Sequence, residues 1–242
     1  MLALIDGDIV AYRCAASAEN EDRDIAFIRT RVMMRDILDE VNATGHKVFL
    51  SGVREDNFRM KVDPEYKANR RDTIRPQHLD ATKEFLVTNW QAQVCKGYEA
   101  DDGLGMEQKF EGTVICSIDK DLLQVPGWHY NFVKKEMVKI TQDEGFRRFY
   151  LQVLTGDRTD NVFGLSGIGP VKAGRLLEGI LPEEYYEACR AAYNDDERLH
   201  KNCKLLWVWR EANQIWEPPK DHAKKEEANK EEIPQKEAPI QV

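Results

Sequence analysis

Cysteine is scarce in this sequence of 242 residues, and its pattern excludes two common ways of stabilising a fold. The five cysteines are an odd number, lie far apart and form no CxxC pair. A disulfide framework needs paired cysteines, and a structural zinc site needs closely spaced ligands. We therefore expect reduced thiols and neither a disulfide framework nor a zinc site.

Long hydrophobic runs are also missing. No stretch of about 18 apolar residues is present to span a bilayer. Asp6 and Asp8 interrupt the apolar stretch that a signal peptide would need near the N-terminus. We expect a protein that does not associate with membranes and stays in the cytoplasm.

A surplus of positive charge is the third absence. The sequence has 35 lysines and arginines but 43 acidic residues, which gives a formal net charge of −8. Proteins that bind nucleic acids usually show a basic surplus. Residues 66–75, YKANRRDTIR, reverse the balance with one acid and four basic residues, Lys67, Arg70, Arg71 and Arg75. This run predicts either a phosphate-binding surface or a solvated charged helix.

Short apolar runs alternate with helix-like patterns through the first 145 residues. The runs LALI at 2–5, KVFLS at 47–51, QAQVC at 91–95 and TVICSI at 113–118 read as strands. From Ile25 onward, apolar residues recur at helical spacing, and residues 77–90 also show a helix-like pattern. This alternation predicts an α/β fold with a mostly parallel sheet of at least four strands flanked by helices.

The rest of the chain has a different pattern. FRRFYLQVLTG, from Phe146 to Gly156, predicts an amphipathic helix that opens a helical subdomain over 146–217. The three tryptophans at 207, 209 and 216 favour added core elements there. From Pro218 onward, mixed charges, four prolines and no aromatic residue predict a disordered tail over 218–242.

Acidic residues follow three of the predicted strands. Asp6 ends the first, Glu99, Asp101 and Asp102 follow the third, and TVICSI runs into Asp119 and Asp121. Helix caps and turns explain any single one of these acids. The carboxyl ends of parallel strands meet at one sheet edge, however, and clustered carboxylates there are the ligands that Mg²⁺ or Mn²⁺ prefers. The six acids together predict a metal site.

A further acidic pair precedes a glycine-rich turn. Asp157 and Asp160 lie three residues apart, a spacing that lets both face the same way on a helical turn. The turn GLSGIGPVKA contains Gly167 and Gly169 before a helix that is expected to begin near Pro170, with Lys172 inside it. Backbone amides at such a turn can approach phosphate closely, which favours contact with a nucleic-acid backbone.

Five ordered motifs carry a resemblance to a known family. LIDGD, VDPEYKANR, EADD, SIDKDL and GDRTDNVFGLSGIGPVKA occur in this order between residues 2 and 180. These motifs make the chain resemble the 5′ nuclease superfamily, which is also called the flap endonuclease or PIN-like superfamily. The resemblance is strongest to the bacteriophage 5′→3′ exonucleases. The resemblance implies a PIN-like core over 1–145 with a helical arch or clamp at about 53–80. It also implies a helix, three-turn, helix subdomain that binds duplex DNA.

The resemblance also implies residue roles. Asp6, Glu99, Asp101, Asp102 and Asp119 resemble ligands of a first metal ion, and Asp121, Asp157 and Asp160 those of a second. Lys67 matches an arch lysine at the scissile phosphate, and Tyr66 a neighbouring aromatic on which a terminal base stacks. Gly167 and Gly169 match a turn that holds K⁺ against the DNA backbone. Arg70, Arg71, Arg75 and Lys172 would contact DNA.

One departure from the family pattern is Ser51, which stands where many members end the second strand with an aspartate ligand. Asp8 is a candidate to complete the first metal site instead. The expected function is a two-metal 5′ nuclease that hydrolyses DNA at or near 5′ ends, on flaps or RNA/DNA duplexes, as an exonuclease, a flap endonuclease or both. Other replication proteins are possible partners, and host cytoplasm is the expected location if a phage encodes the chain. A PIN-type ribonuclease and a catalytically impaired DNA-binding module are the alternatives.

Overall fold

The computed structural model describes residues 1–71 and 73–219. The strands are β1 Leu2–Asp6, β2 Gly45–Ser51, β3 Gln93–Cys95, β4 Thr113–Cys116, β5 Gly127–Asn131, β6 Glu136–Ile140, β7 Gly156–Asp157 and β8 Val162–Phe163. The helices are α1 Gly7–Ser17, α2 Arg23–Glu40, α3 Phe58–Val62, α4 Leu79–Trp90, α5 Ala100–Glu107, α6 Gln142–Thr155, α7 Pro170–Leu176, α8 Tyr185–Tyr193 and α9 Asp196–Leu206. None of the described helices is long and apolar enough to cross a membrane.

A six-stranded sheet forms the centre of the molecule, in the order β3-β2-β1-β4-β5-β6. The pairs are parallel except β5 with β6, which is antiparallel. The predicted mostly parallel sheet flanked by helices is therefore confirmed. The β5–β6 hairpin was not predicted, because an exposed edge strand such as EMVKI carries a weaker apolar signal than a buried parallel strand.

Side chains of β1 alternate between the two faces of the sheet, as strand geometry requires. Ala3 and Ile5 pack into the cluster that includes residues of α1, α2 and α4. Leu4 points the other way, into a cluster with Leu104 of α5 and Val208. Because both faces are covered, β1 can be apolar from Leu2 to Ile5, and its last residue, the polar Asp6, lies at the sheet edge.

The described chain beyond β6 contains the helices α6 to α9 and the two short strands β7 and β8, and the predicted amphipathic helix from Phe146 lies in α6. Helix α6 begins four residues earlier than that, because Thr141 caps it by accepting a hydrogen bond from the Glu144 backbone N–H. Its apolar stripe and those of α7, α8 and α9 form an aromatic-rich cluster around Phe149 and Tyr186. Trp207, Trp209 and Trp216 are buried in the same cluster. Residues 205–209, here named the C-terminal segment, run from α9 back to the sheet.

Two parts of the predicted domain organisation stay predictions. In the region expected to form an arch, about 53–80, the described residues contain α3, two 3₁₀ turns at 54–56 and 68–70, and the start of α4. Its residues 63–71, here named the strap, lie against the loop 158–161. The predicted tail lies, from residue 220 onward, outside the described residues. The five cysteines are buried and unpaired.

Candidate active site

The sheet edge brings Asp6 and the chain after β4 together, because β1 and β4 pair in register from Leu2 with Thr113 to Ile5 with Cys116. Asp6 is 2% exposed and caps α1 by accepting a hydrogen bond from the Ile9 backbone N–H at 3.1 Å. Ser117 joins the two strand ends: its hydroxyl donates to Asp6 at 2.7 Å and accepts from the Asp119 backbone N–H at 3.0 Å.

A cavity of about 120 Å³ opens at this edge. Its lining combines acids with cations from the strap and includes Glu99, Asp101, Asp119, Asp121, Asp157, Asp160, Tyr66, Lys67, Arg70 and Lys120. The acids predicted from three strand ends and from the 157–160 loop therefore meet. The exceptions are Asp102, which is described below, and Asp6, which lies buried behind the cavity wall.

One half of this acidic group forms no ion pair among the described residues, although Lys67 lies near Asp101 and Lys120 lies near Asp121 and Asp157. We name Asp6, Asp101, Asp119, Asp121 and Asp157 the uncompensated half. Burial first, and then the charge of Asp8, raise the pKa of Asp6 to about 7. Burial and then the charges of Asp119 and Asp6 raise the pKa of Asp101 well above its ordinary value. Burial and a hydrogen bond with Asp157 raise the pKa of Asp121 to about 8. Mutual repulsion of this kind is what a bound cation relieves.

The other half is paired with cations of the strap and of α3. We name Glu99, Asp102 and Asp160 the paired half. Lys67 Nζ lies 2.6 Å from Glu99 Oε1 and 3.6 Å from Asp160 Oδ2, and Arg70 Nη2 lies 2.6 Å from Asp160 Oδ1. Burial alone would raise the pKa of Glu99, but Lys67 and then Arg59 lower it to about 2.

Tyr66 has a different setting from the one that its predicted role requires. Its side chain is 3% exposed, and its hydroxyl donates to Asp160 at 2.9 Å and to Glu99 at 3.1 Å. A base needs an open ring face to stack on, and the packing around Tyr66 covers that face. In this arrangement the Tyr66 ring is buried, and base stacking by Tyr66 stays a prediction. Tyr66 fixes two carboxylates of the paired half.

Asp102 also departs from its predicted role as a metal ligand. It is fully buried and accepts hydrogen bonds from Arg59 through both oxygens, at 2.6 and 2.9 Å. The backbone N–H groups of Glu99 and Trp209 also donate to it, at 3.0 and 3.1 Å. Its oxygens are fully engaged inside the protein, so helix capping, the alternative weighed for this acid, describes Asp102.

The basic run at 66–75 does not form one surface. Arg70 reaches the cavity, whereas Arg71 donates to the Pro64 carbonyl at 3.2 Å and lies near Glu65. Arg75 pairs with Asp80 at 2.7 Å and lines a separate cavity beside β2. The run leaves its helical path at Lys67, whose φ of 55° lies in the left-handed region. This turn sends the basic side chains in different directions.

The glycine-rich turn lies where the sequence predicted it. Gly167 has a φ of 72°, in the left-handed region that favours glycine, and a Cβ there would meet open space. Gly169 precedes Pro170, the first residue of α7, and Lys172 Nζ donates to the Gly167 carbonyl at 2.9 Å. The turn is exposed and presents its backbone to solvent.

Ser51 has a structural role. Its hydroxyl accepts from the Ala100 backbone N–H at 3.0 Å, so it supports the first turn of α5. Its own backbone N–H donates to Asp8 Oδ2 at 2.8 Å, and Asp8 Oδ1 lies 2.5 Å from Lys83 Nζ. Asp8 is therefore held by Lys83 and does not line the cavity that it was proposed to complete.

The donor chemistry fits a hard divalent cation, since carboxylate oxygens are its preferred ligands and the uncompensated half carries excess negative charge. Within residues 1–71 and 73–219, no three Asp, Glu, His or Cys side chains converge on one point. Lys67 and Arg70 hold Glu99 and Asp160 in their present positions. Glu99 and Asp160 could contact a bound ion only after turning away from these cations.

A family model supports what this geometry suggests. The 5′-3′ exonuclease, N-terminal resolvase-like domain model matches residues 1–150, more than half of the chain. The chain belongs to this 5′-3′ exonuclease family. The resemblance predicted from the five motifs is thereby confirmed.

Curated relatives agree with this assignment. The chain is 31% identical over 208 residues to the 5′-3′ exonuclease of Mycoplasma genitalium, with 72% of this chain and 70% of the relative covered. It is 30% identical over 214 residues to DNA polymerase I of Borreliella burgdorferi, with 81% of this chain covered. The chain spans 22% of the length of that polymerase.

Solved structures share the fold. The D15 flap endonuclease of bacteriophage T5, in a complex with DNA and metal ions, superimposes with a TM-score of 0.62 at 20% identity. The match covers 85% of this chain and 88% of the T5 chain. The α/β architecture described above is therefore the fold of a 5′-3′ exonuclease family member.

Several residues of the site were missed from the sequence. Lys120, exposed and in the cavity lining, stands between the two acids of SIDKDL, and its charge beside Asp121 could have been noticed. Ser117 ends the same strand as a polar residue, which is a weaker signal. Arg59 gave no local signal, since its partners are 43 to 148 residues away in sequence.

Proposed function

We propose that the chain is a divalent-metal-dependent 5′ nuclease that hydrolyses DNA phosphodiester bonds at or near 5′ ends. The observation that carries the proposal is the meeting of the strand-end acids with Lys67 in one cavity. Membership of the 5′-3′ exonuclease family, and the DNA and metal ions in the related T5 complex, support it.

Two Mg²⁺ or Mn²⁺ ions are the proposed cofactors. The uncompensated half would hold them, and Glu99 and Asp160 would join it once released by their cations. Bound there, the ions supply an activated water and neutralise charge on the departing 3′ oxygen. Hydrolysis breaks the P–O3′ bond, and the products are a 5′-phosphate and a 3′-hydroxyl.

The chain's own residues would position the DNA. Lys67 remains protonated, because burial would lower its pKa but Glu99 and Asp160 raise it. A cation at this point stabilises the negative charge that develops on a phosphate in the transition state. Lys120 and Arg70, both in the cavity lining, would contact neighbouring phosphates.

The glycine-rich turn is proposed as the contact for the duplex behind the cleaved strand. Its exposed backbone around Gly167 and Gly169 can approach phosphates closely, and a K⁺ ion could bridge the two. Lys172 adds positive charge beside the turn. Flaps, recessed 5′ ends and RNA/DNA duplexes are the proposed substrates, with other replication proteins as partners.

The test is cleavage of 5′-end-labelled substrates by the whole chain in Mg²⁺, Mn²⁺ or EDTA. We expect metal-dependent cleavage of flap or recessed duplex DNA, little cleavage of RNA of the same sequence, and none in EDTA. Cleavage in EDTA would contradict the metal mechanism, and cleavage of RNA alone would favour a PIN-type ribonuclease. DNA binding without cleavage would favour an impaired binding module.

A further inference from the structure

Arg59 is the most completely engaged cation in the part of the chain that the structure describes near the cavity. Its side chain is 2% exposed, although arginine is rarely fully buried. Two of its nitrogens contact the two oxygens of Asp102, at 2.6 and 2.9 Å. It also donates to the carbonyl oxygens of Leu205, at 2.8 Å, and Trp207, at 2.7 Å.

Arg59 therefore joins three segments that are distant in sequence. It lies on α3, immediately before the strap; Asp102 lies in the first turn of α5; and Leu205 and Trp207 belong to the C-terminal segment. A planar guanidinium fork fixes the direction of a carboxylate as well as its distance, which an ammonium group cannot do.

Helix α5 carries two of the candidate ligands at its N-terminus. Glu99 precedes its first residue, and Asp101 lies between Glu99 and the anchored Asp102. Asp102 also accepts a hydrogen bond from the Glu99 backbone N–H at 3.0 Å. The carboxylate that Arg59 holds therefore contacts the backbone of a candidate ligand directly. Arg59 Nη1 lies 3.8 Å from Glu99 Oε2, close enough to act on its charge.

A second contact holds α5 in the same place. The C-terminal segment donates the Trp209 backbone N–H to Asp102 at 3.1 Å. Gly105, one turn along α5, faces Trp209 so closely that a Cβ would collide with the Trp209 carbonyl oxygen. Gly105 thus allows α5 to dock on the C-terminal segment, and Gly103 of the same run allows α5 to approach Phe49 and Cys95 of the sheet.

We propose that Arg59 is a positioning residue that presents Glu99 and Asp101 to the divalent ions by anchoring Asp102 and the C-terminal segment. This role rests on the proposed function. It gives a role to a residue outside the eight candidate acids and the basic run. It also makes residues 205–209 part of the site's support.

Removing Arg59 alone would leave the buried carboxylate of Asp102 without its cation, which by itself disrupts folding. The main test therefore uses the double variant Arg59→Met/Asp102→Asn, which removes both charges and keeps an acceptor oxygen for one of the two backbone N–H groups. Arg59→Lys, which keeps the charge and loses the fork, is the second variant. Both are made in the full chain.

The matched control is Arg190→Met. Arg190 also contacts both oxygens of an aspartate, Asp196, at 2.8 to 3.1 Å, but this pair lines a separate cavity. The readouts are Mn²⁺ affinity by calorimetry without DNA, melting temperature in EDTA, and single-turnover cleavage at several Mn²⁺ concentrations. All affinities are measured well below the lowest melting temperature.

We expect the double variant to bind Mn²⁺ at least about tenfold more weakly, the size of effect typical of residues that orient metal ligands. Cleavage should recover in part at high Mn²⁺, and Arg59→Lys should fall between wild type and double variant. Arg190→Met should lower melting temperature and leave Mn²⁺ affinity unchanged. A folded double variant with wild-type Mn²⁺ affinity would overturn the role of Arg59. A wild type that binds no Mn²⁺ would instead refute the metal-dependent function itself.

Discussion

The two halves of the acidic site show opposite solutions to the same electrostatic problem. In the uncompensated half, buried carboxylates face one another, and the pKa values of Asp6 and Asp121 rise to about 7 and 8. In the paired half, cations lie against the carboxylates, and the pKa of Glu99 falls to about 2, although burial keeps the pKa of Asp160 above its ordinary value despite Lys67.

The difference indicates which carboxylates a bound cation would stabilise most. A carboxylate that already has a buried arginine or lysine gains little from a metal ion, whereas repelling carboxylates gain much. We infer that the uncompensated half supplies most of the attraction for divalent ions. The paired half controls where Lys67 and helix α5 lie.

Asp119→Asn should have the largest effect, because it removes a charge from the centre of the uncompensated half. We expect single-turnover cleavage to fall by about a thousandfold or more, as for loss of a metal ligand, while the melting temperature in EDTA stays equal or rises. The measurement is cleavage of labelled flap DNA at saturating enzyme and Mg²⁺.

The control for this variant is Asp143→Asn, which removes an exposed aspartate from the first turn of α6. It should cleave at the wild-type rate. Substantial cleavage by a folded Asp119→Asn protein would mean that the uncompensated half is not the metal-binding part.

Lys67→Ala tests the paired half. We expect the chemical step to slow by about a hundredfold, since a cation near the phosphate acts mainly in the transition state. Mn²⁺ affinity should persist or increase, because Glu99 loses its competing cation. Lys67→Arg should restore the positive charge but not its position relative to the phosphate, and should therefore recover only part of the rate.

The matched control is Lys61→Ala, an exposed lysine at the end of α3. If Lys67→Ala weakens DNA binding but cleaves at the wild-type rate once bound, Lys67 guides DNA and does not act on the reaction.

The pH dependence of stability should separate the two halves without any substrate. Between pH 6.5 and 8.5 the folded state holds protons on Asp6 and Asp121 that the unfolded state has already released, so stability without metal falls as pH rises. With these pKa values we expect a loss of roughly 2–3 kcal/mol, or about 5–10 °C in melting temperature.

Glu99, with a pKa of about 2, does not contribute in this window, because it is ionised in the folded and unfolded states alike. His129, whose pKa burial lowers to about 4, opposes the loss slightly near pH 6.5, where only the unfolded state still binds its proton. Thermal melts in EDTA check the slope, and Asp121→Asn should flatten it. A slope that is unchanged by Asp121→Asn would contradict the charge assignment.

Lys172→Ala should have the smallest effect, because Lys172 lies outside both halves. We expect weaker duplex binding and a salt dependence of log Kd shallower by about one ion, with no change in cleavage at saturating enzyme. Binding titrations at several salt concentrations test this. An unchanged slope would show that Lys172 only supports the Gly167 turn.

The sequence by itself determined the sheet and the position of most acids on it. Runs such as LALI and TVICSI are apolar enough to be buried on both faces, and a parallel strand must end at the edge where its polar successor stands. Asp6, Asp119 and Asp121 could therefore be assigned to one edge before any coordinates. The exposed hairpin of β5 and β6 could not, since its side chains lack that continuous apolar pattern.

Only the tertiary structure decided what each acid contacts. In EADD, three carboxylates within four residues have three different settings: Glu99 holds Lys67, Asp101 faces Asp119, and Asp102 is enclosed by Arg59. Charge pairing depends on which distant segments pack together and on the direction of each side chain. Arg59 meets Asp102 across 43 residues and Trp207 across 148, and no local pattern in the sequence encodes such a contact.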